Sequence, residues 1–262
     1  TLYVNGEIPA GPGRVYFTGG VQKRDASSGA WARDGVDDVP TRNSAAMYPN
    51  GFVPFINGDL DDRYAIVGFK QKFGDWNADI SQTYGYNRLM YNISNTLNAS
   101  IANLDKLNGG KGVSKSEFDA GGFSFQQSTT NFDMNRYFQG LVGDGLNVAF
   151  GAEYRAEKYK IFAGEPGSYI DADGAGGGNA GSQGFPGFQP SDATNAKRHS
   201  SAAYLDLEAD LSKDTRLQGA LRWEKFSDFG STVTGKIAGS YRVSDPVLLR
   251  ASFGIFGSNV PC

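Results

Sequence analysis

The chain has 262 residues, room for one large domain or two small ones, and a net charge of −3 that offers no basic stripe for nucleic acid. No apolar run approaches the roughly 18 residues of a membrane-spanning helix. Hydrophobic residues make up only 39%, yet aromatics reach 13% and glycines number 36. That balance suits antiparallel β structure with one polar face and one aromatic-rimmed apolar face.

Period-two alternation predicts ten strands, in chain order at 1–8, 14–23, 62–73, 76–91, 122–138, 146–162, 201–212, 216–226, 231–243 and 247–256. In the sixth, Val148, Phe150, Ala152 and Tyr154 oppose Asn147, Gly151, Glu153 and Arg155. In the seventh, Leu205, Leu207, Ala209 and Leu211 oppose Asp206, Glu208 and Asp210. A helix would smear these charges around its surface; a strand puts all the carboxylates on one side. In the eighth, Leu217, Gly219, Leu221 and Trp223 oppose Gln218, Ala220, Arg222 and Glu224, and Ser212–Thr215 makes the two a hairpin. In the ninth, Ile237, Tyr241 and Val243 oppose Thr232, Thr234, Lys236 and Arg242.

The connections alternate in length. Short ones fall at Pro9–Gly13, Gly74-Asp75, Gln139–Gly145, Ser212–Thr215 and Ser244–Pro246. Long ones fall between them, at 24–61, 92–121 and 163–200, with a shorter one at Ser227–Gly230. Short turns at one end and long loops at the other are the asymmetry of an outer-membrane barrel. In a compact soluble domain, several structureless loops of about 30 residues would count against the assignment. Phe73, Trp76, Tyr137, Phe138 and Tyr64 lie near strand ends, where interfacial aromatic girdles are expected. The expected fold is therefore all-β, an antiparallel up-and-down transmembrane β-barrel, with residues 1–262 as one barrel portion. Ten strands leave two unpaired edges. Thr1 opens no charged-then-apolar leader, so a leader removed or a start upstream is expected. The one cysteine, Cys262, excludes an intrachain disulfide.

The run Asn147-Val-Ala-Phe-Gly-Ala-Glu-Tyr-Arg-Ala-Glu-Lys-Tyr159 resembles a barrel strand of TonB-dependent receptors. Ala163-Gly-Glu-Pro-Gly-Ser-Tyr169, Gly187-Phe-Gln-Pro-Ser-Asp192, Ala203-Tyr-Leu-Asp-Leu-Glu-Ala-Asp210, Ala220-Leu-Arg-Trp-Glu224 and Phe226-Ser-Asp-Phe-Gly-Ser-Thr232 resemble the same family. So do Asn95-Thr-Leu-Asn-Ala-Ser100 and Phe118-Asp-Ala-Gly-Gly122, and in order these runs cover most of 75–253. The resemblance implies a barrel of about 22 strands with an N-terminal plug inside it. It implies import of a scarce small-molecule ligand (a ferric siderophore, cobalamin or an oligosaccharide) across the cell outer membrane, driven through the plug by a TonB complex. The implied partners are outer-membrane lipid, that complex and the small molecule, with no nucleic acid and no cofactor. No plug-like region or TonB box precedes Thr1, and after Leu249-Arg-Ala-Ser252 the chain reads Phe253-Gly-Ile-Phe-Gly-Ser-Asn-Val-Pro-Cys262 where the family continues differently. A piece of such a receptor is expected, lacking the plug and the C-terminal strands.

The lone histidine, His199, is the one general base a Ser-His-Asp hydrolase has, with Asp192 or Asp206 as its orienter. No G-x-S-x-G elbow supplies a nucleophile, so a loop or interface histidine is the expectation. Asp171-Ala-Asp173-Gly174 has the start of a calcium loop but lacks the downstream Glu. The glycine-rich Gly174–Gly184 lacks Gly-Lys-Ser/Thr and reads as a flexible lid. No catalytic or metal site is assigned. Glu153, Arg155, Asp206, Glu208, Arg222 and Glu224 are expected to line the lumen, touching plug, water and solute. Tyr169, Phe185 and Phe188 are the expected ligand contacts, as rings that stack on a sugar or an aromatic chelator. The competing readings are a secreted β-fold hydrolase that uses His199 and a surface binding protein.

Overall fold

A computed structural model describes residues 1–258; Cys262 and the four-residue end it closes lie outside the described residues. Ten strands form one antiparallel sheet in strictly sequential order. They are β1 (Leu2–Ala10), β2 (Gly13–Gly29), β3 (Phe55–Phe73), β4 (Trp76–Ser94), β5 (Glu117–Gln139), β6 (Gly145–Phe162), β7 (Thr194–Ser212), β8 (Thr215–Phe226), β9 (Gly230–Ser244) and β10 (Val247–Ser258). Among the described residues, β1 and β10 are each paired along one side only. Among the described residues, no helix is long and apolar enough to cross a membrane.

All ten expected strands are present, but several run further toward the long loops than alternation indicates. β2 reaches Gly29, β3 starts at Phe55, β5 at Glu117 and β7 at Thr194. The added segments, such as Arg24–Gly29 and Thr194–Ser200, are polar on both sides, so the two-residue period that marks a half-buried strand is missing there. The loops shrink accordingly to 30–54, 95–116 and 163–193.

Register across the sheet separates two faces. Phe69, Ile80, Phe132, Ala152, Ala203, Trp223 and Val233 stand opposite one another in one row across neighbouring strands. This apolar face is bare: Leu221 is 55% exposed, Ile237 68% and Phe253 69%. The other face carries Asp79, Asp133, Tyr204 and Arg222 in the next row. Water does not tolerate an apolar face of this extent on a stable monomer. Strand parity also corrects the girdle. Trp76 packs edge-on against Phe138 at 5.9 Å and Phe150 at 5.6 Å, all on the apolar face. Tyr64 and Tyr137 point to the charged face, where Tyr64 meets Tyr3 and the Tyr137 hydroxyl donates to Asp210.

The hydrophobic core sits in the loops. Phe52 from loop 30–54 packs with Leu97, Ala99 and Ala102 from loop 95–116, and Met47 and Tyr48 close over them. The Tyr48 and Phe52 rings stack at 4.2 Å. Within loop 95–116 lies a helix that alternation did not indicate, α1 (Ala99–Leu107). It is short, so it depends on tertiary packing rather than on its own propensity.

Candidate functional site

Three long loops meet at one end of the sheet and are tied to one another by backbone and side-chain hydrogen bonds. Asn98 caps α1 by accepting from the Ile101 N–H, and its amide donates to Gly167 O at 2.9 Å and Ile170 O at 3.0 Å. Gln183 N–H donates to Leu97 O, Asn179 N–H to Thr41 O, and Arg33 Nε to Gln183 Oε1 at 2.7 Å. The stretch 174–184, expected as a flexible lid, is therefore packed. Its glycines serve close approach: a Cβ on Gly178 would stand 2.6 Å from Ser100 Cα.

Asp171 and Asp173, the candidate calcium carboxylates, bond to the chain itself. Asp171 Oδ1 accepts from the Gly174 N–H, and Asp173 Oδ2 accepts from Asn103 at 2.6 Å and from the Gly178 N–H at 2.9 Å. Burial alone would raise the Asp173 carboxyl, but these hydrogen bonds outweigh it and hold it below the usual aspartate range. A depressed native pKa contributes stability above the unfolded value, about 3.9, that is lost as pH falls through the native one. The docking of α1 on loop 163–193 is therefore expected to loosen below about pH 4. Proteolysis of that loop at pH 3 and pH 6 measures this, and Asp173→Asn should flatten the difference; an unchanged difference would reject Asp173 as its source.

On the charged face, Arg222 bridges Glu153 at 3.0 Å and Glu224 at 3.3 Å, and Arg155 meets Glu153 at 2.7 Å. Ser200 donates to Glu224 at 2.9 Å. Four of the six predicted residues thus form one half-buried network whose charges cancel. Asp206 and Glu208 lie nearer the short turns and outside it, held by Gln218 at 2.8 Å and Arg216 at 3.1 Å. Sequence reasoning missed the tyrosine–carboxylate pairs on the same face, Tyr16 to Asp79 at 2.8 Å and Tyr204 to Asp133 at 2.5 Å. Parity within β2, β4, β5 and β7 was the signal available.

Phe185 and Phe188 meet edge-on at 5.7 Å, and Phe185 lies 5.1 Å from Tyr91. Tyr91, Phe123 and Tyr159 continue the group at 6.3 and 6.4 Å. These rings stand where the charged face meets the loops. Tyr169 is not among them; it closes the 3-10 turn Pro166–Ser168, its N–H donating to Pro166 O. His199 lies on the apolar face, where its ring sits 6.2 Å from that of Tyr154. Asp206 is on the opposite face and Asp192 accepts from the Gln189 N–H, so neither orients the imidazole. No triad forms.

Long antiparallel strands with one bare apolar face, one charged face and every long loop at one end constitute part of a transmembrane β-barrel. A family profile described as "TonB dependent receptor-like, beta-barrel" matches residues 9–255, and the chain belongs to the TonB-dependent receptor family. A search of the curated proteins finds no match. Among solved structures, the chain resembles the ferric-catecholate import receptor Fiu from E. coli K12 at 10% identity and TM-score 0.55. That likeness covers 94% of this chain and 44% of Fiu. It also resembles the siderophore receptor PiuA from Acinetobacter baumannii at 13% identity and TM-score 0.44, over 94% of this chain and 36% of PiuA. The chain thus spans less than half the length of Fiu, and at 10% identity that likeness is one of fold.

Proposed function

We propose that this chain forms part of the barrel wall of an outer-membrane receptor that binds a scarce small molecule outside the cell and imports it. The observation that carries the reading is the two-faced sheet with its long loops gathered at one end. In this reading the apolar face meets lipid and the charged face lines the lumen. Glu153, Arg155, Asp206, Glu208, Arg222 and Glu224 then contact water and a plug domain rather than the ligand, the charges of Glu153, Arg155, Arg222 and Glu224 being already neutralised by one another. The loop assembly faces the outside, and a TonB complex acting through the plug supplies the energy. The step is binding and gated transport, with no covalent chemistry.

Phe185, Phe188 and Tyr91 form the ligand-facing wall in this proposal. Their flat faces suit a catechol chelator or a sugar ring, the ligand chemistries that stack on aromatic side chains. Tyr169, without a ring partner in this group, is the weakest of the three expected contacts.

In the full-length receptor, Phe185→Ala with Phe188→Ala should cut uptake about tenfold, as loss of roughly 1–1.5 kcal/mol of aromatic contact implies. Iron-loaded catecholate, cobalamin and a linear oligosaccharide are the probes, and surface level is read by its heat-modifiable gel band. Uptake of every probe at the wild-type level would remove these rings from the site. Binding without uptake in the wild-type receptor would favour a surface binding protein, and loss of a hydrolytic activity in His199→Ala would favour the enzyme.

A further inference from the structure

The apolar face changes character at its loop end. Three lysines stand there on two adjacent strands, Lys158 and Lys160 on β6 and Lys197 on β7. The register sets Lys158 directly opposite Lys197, and Lys160 two residues further along the same face. Alternation fixes that face, for Lys158 and Lys160 keep step with Phe150, Ala152 and Tyr154, and Lys197 with His199, Ala203 and Leu205. On the other side of β6, Gln126 of β5 stands opposite Lys158 and Ser124 opposite Lys160. Arg88 of β4 stands opposite Ser124 and extends the row. Its other neighbour, Asp61, is taken by Arg63.

Like charges directly opposite in a sheet repel, and a pair so placed is normally avoided or neutralised. None of the three lysines has a carboxylate within ion-pair distance among the described residues. The nearby Glu157 points to the other face and pairs with Arg198. Lys197 is exposed, Lys158 and Lys160 half-buried. A compact cluster of unneutralised ammonium groups with a hydroxyl and an amide beside it is complementary to phosphate on a sugar.

Height decides where that phosphate comes from. Lys158 lies about twelve residues along β6 from the short turn, roughly 40 Å of strand and about 30 Å of height at the usual tilt. The apolar band of such barrels is about 25 Å tall. The cluster therefore sits just beyond the band, above Tyr154, at the level of lipid headgroups and on the outside of the wall, where neither plug nor imported ligand reaches.

We infer that Lys158, Lys160 and Lys197 form a site for the phosphorylated sugar headgroup of an outer-leaflet glycolipid, flanked by Arg88, Ser124 and Gln126. The inference rests on the barrel reading above, because it needs the apolar face to lie in lipid with the long loops outside.

The test uses the full-length receptor purified in detergent. It is mixed with a bis-phosphorylated, acylated glucosamine disaccharide, or with the same lipid stripped of both phosphates, and bound lipid is counted by native mass spectrometry. The wild type should retain the phosphorylated lipid strongly over the stripped one. Replacing all three lysines by glutamine should lower retention about a hundredfold, at about fivefold per basic residue near a membrane surface. Equal retention of the two lipids by the wild type would overturn the inference whatever the variant does. So would displacement by an equal concentration of inorganic phosphate, which would mark a site for free anions. A heat-modifiable, detergent-dependent receptor without phosphate selectivity would reject this site and leave the barrel reading standing; a receptor that needs no detergent would reject both.

Discussion

Replacing Asn98 by alanine is expected to release the loop assembly while the strands stay paired. Asn98 is fully buried and its side chain ties loop 95–116 to loop 163–193. Its Oδ1 accepts from the Ile101 N–H at 3.2 Å and the Ser100 hydroxyl at 2.7 Å, and its Nδ2 donates to two carbonyls of loop 163–193. Alanine removes a helix cap, which costs about 1 kcal/mol. It also strands the Gly167 carbonyl, at about 1–3 kcal/mol for a group left unsatisfied, while the Ile170 carbonyl keeps the Gly181 N–H. A total of about 3 kcal/mol corresponds to roughly a hundredfold faster amide exchange through local opening. Hydrogen exchange in the full-length receptor should show this in peptides from 95–116 and 163–193, with β6–β8 unchanged. Asn98→Asp separates the two roles, since it keeps the acceptor that caps α1 and loses the donor that tethers the other loop. If loop 163–193 exchanged as slowly in Asn98→Ala as in the wild type, the tether would carry no weight.

The second large effect concerns the apolar face. Leu221→Arg should cost about 2–4 kcal/mol of barrel stability in a bilayer, because Leu221 lies about six residues from the short turn and hence near mid-height. Gln218→Arg, three residues away on the charged face beside Asp206, should cost little. A soluble sheet predicts another outcome, because arginine in place of a half-exposed leucine in water changes stability by within about 0.5 kcal/mol. The fraction of full-length receptor recovered as the heat-modifiable species reads both variants. Equal recovery of Leu221→Arg and wild type would mean that this face does not meet lipid.

These two predictions depend on different parts of the fold, and the parts differ in how far the sequence discloses them. Strand alternation is a local property. A two-residue period at Leu205–Leu211 or Leu217–Trp223 announces which side chains share a face, because a strand imposes that period whatever it pairs with. The class of fold, the ten strands, the alternation of short and long connections and the shared face of Glu153, Arg155, Arg222 and Glu224 were all legible this way. Where strands continue into polar surroundings at Arg24–Gly29 and Thr194–Ser200, neither face is apolar and the period disappears.

The loops could not be read so. Asn98, Ser182 and Gln183 look like ordinary polar loop residues, and only the meeting of three segments distant in sequence buries them. The stretch 174–184 looked flexible because glycine is permissive, yet Gly178 is needed for the backbone to reach Ser100. Register between strands was equally hidden, since it depends on pairings between residues far apart in the chain. It sets Lys158 against Lys197, while loop packing joins Phe185 to Tyr91. The sequence by itself determined the faces, because alternation is written into consecutive residues. Only the tertiary structure decided which residues of separate strands and loops stand together, because that is a matter of register and packing.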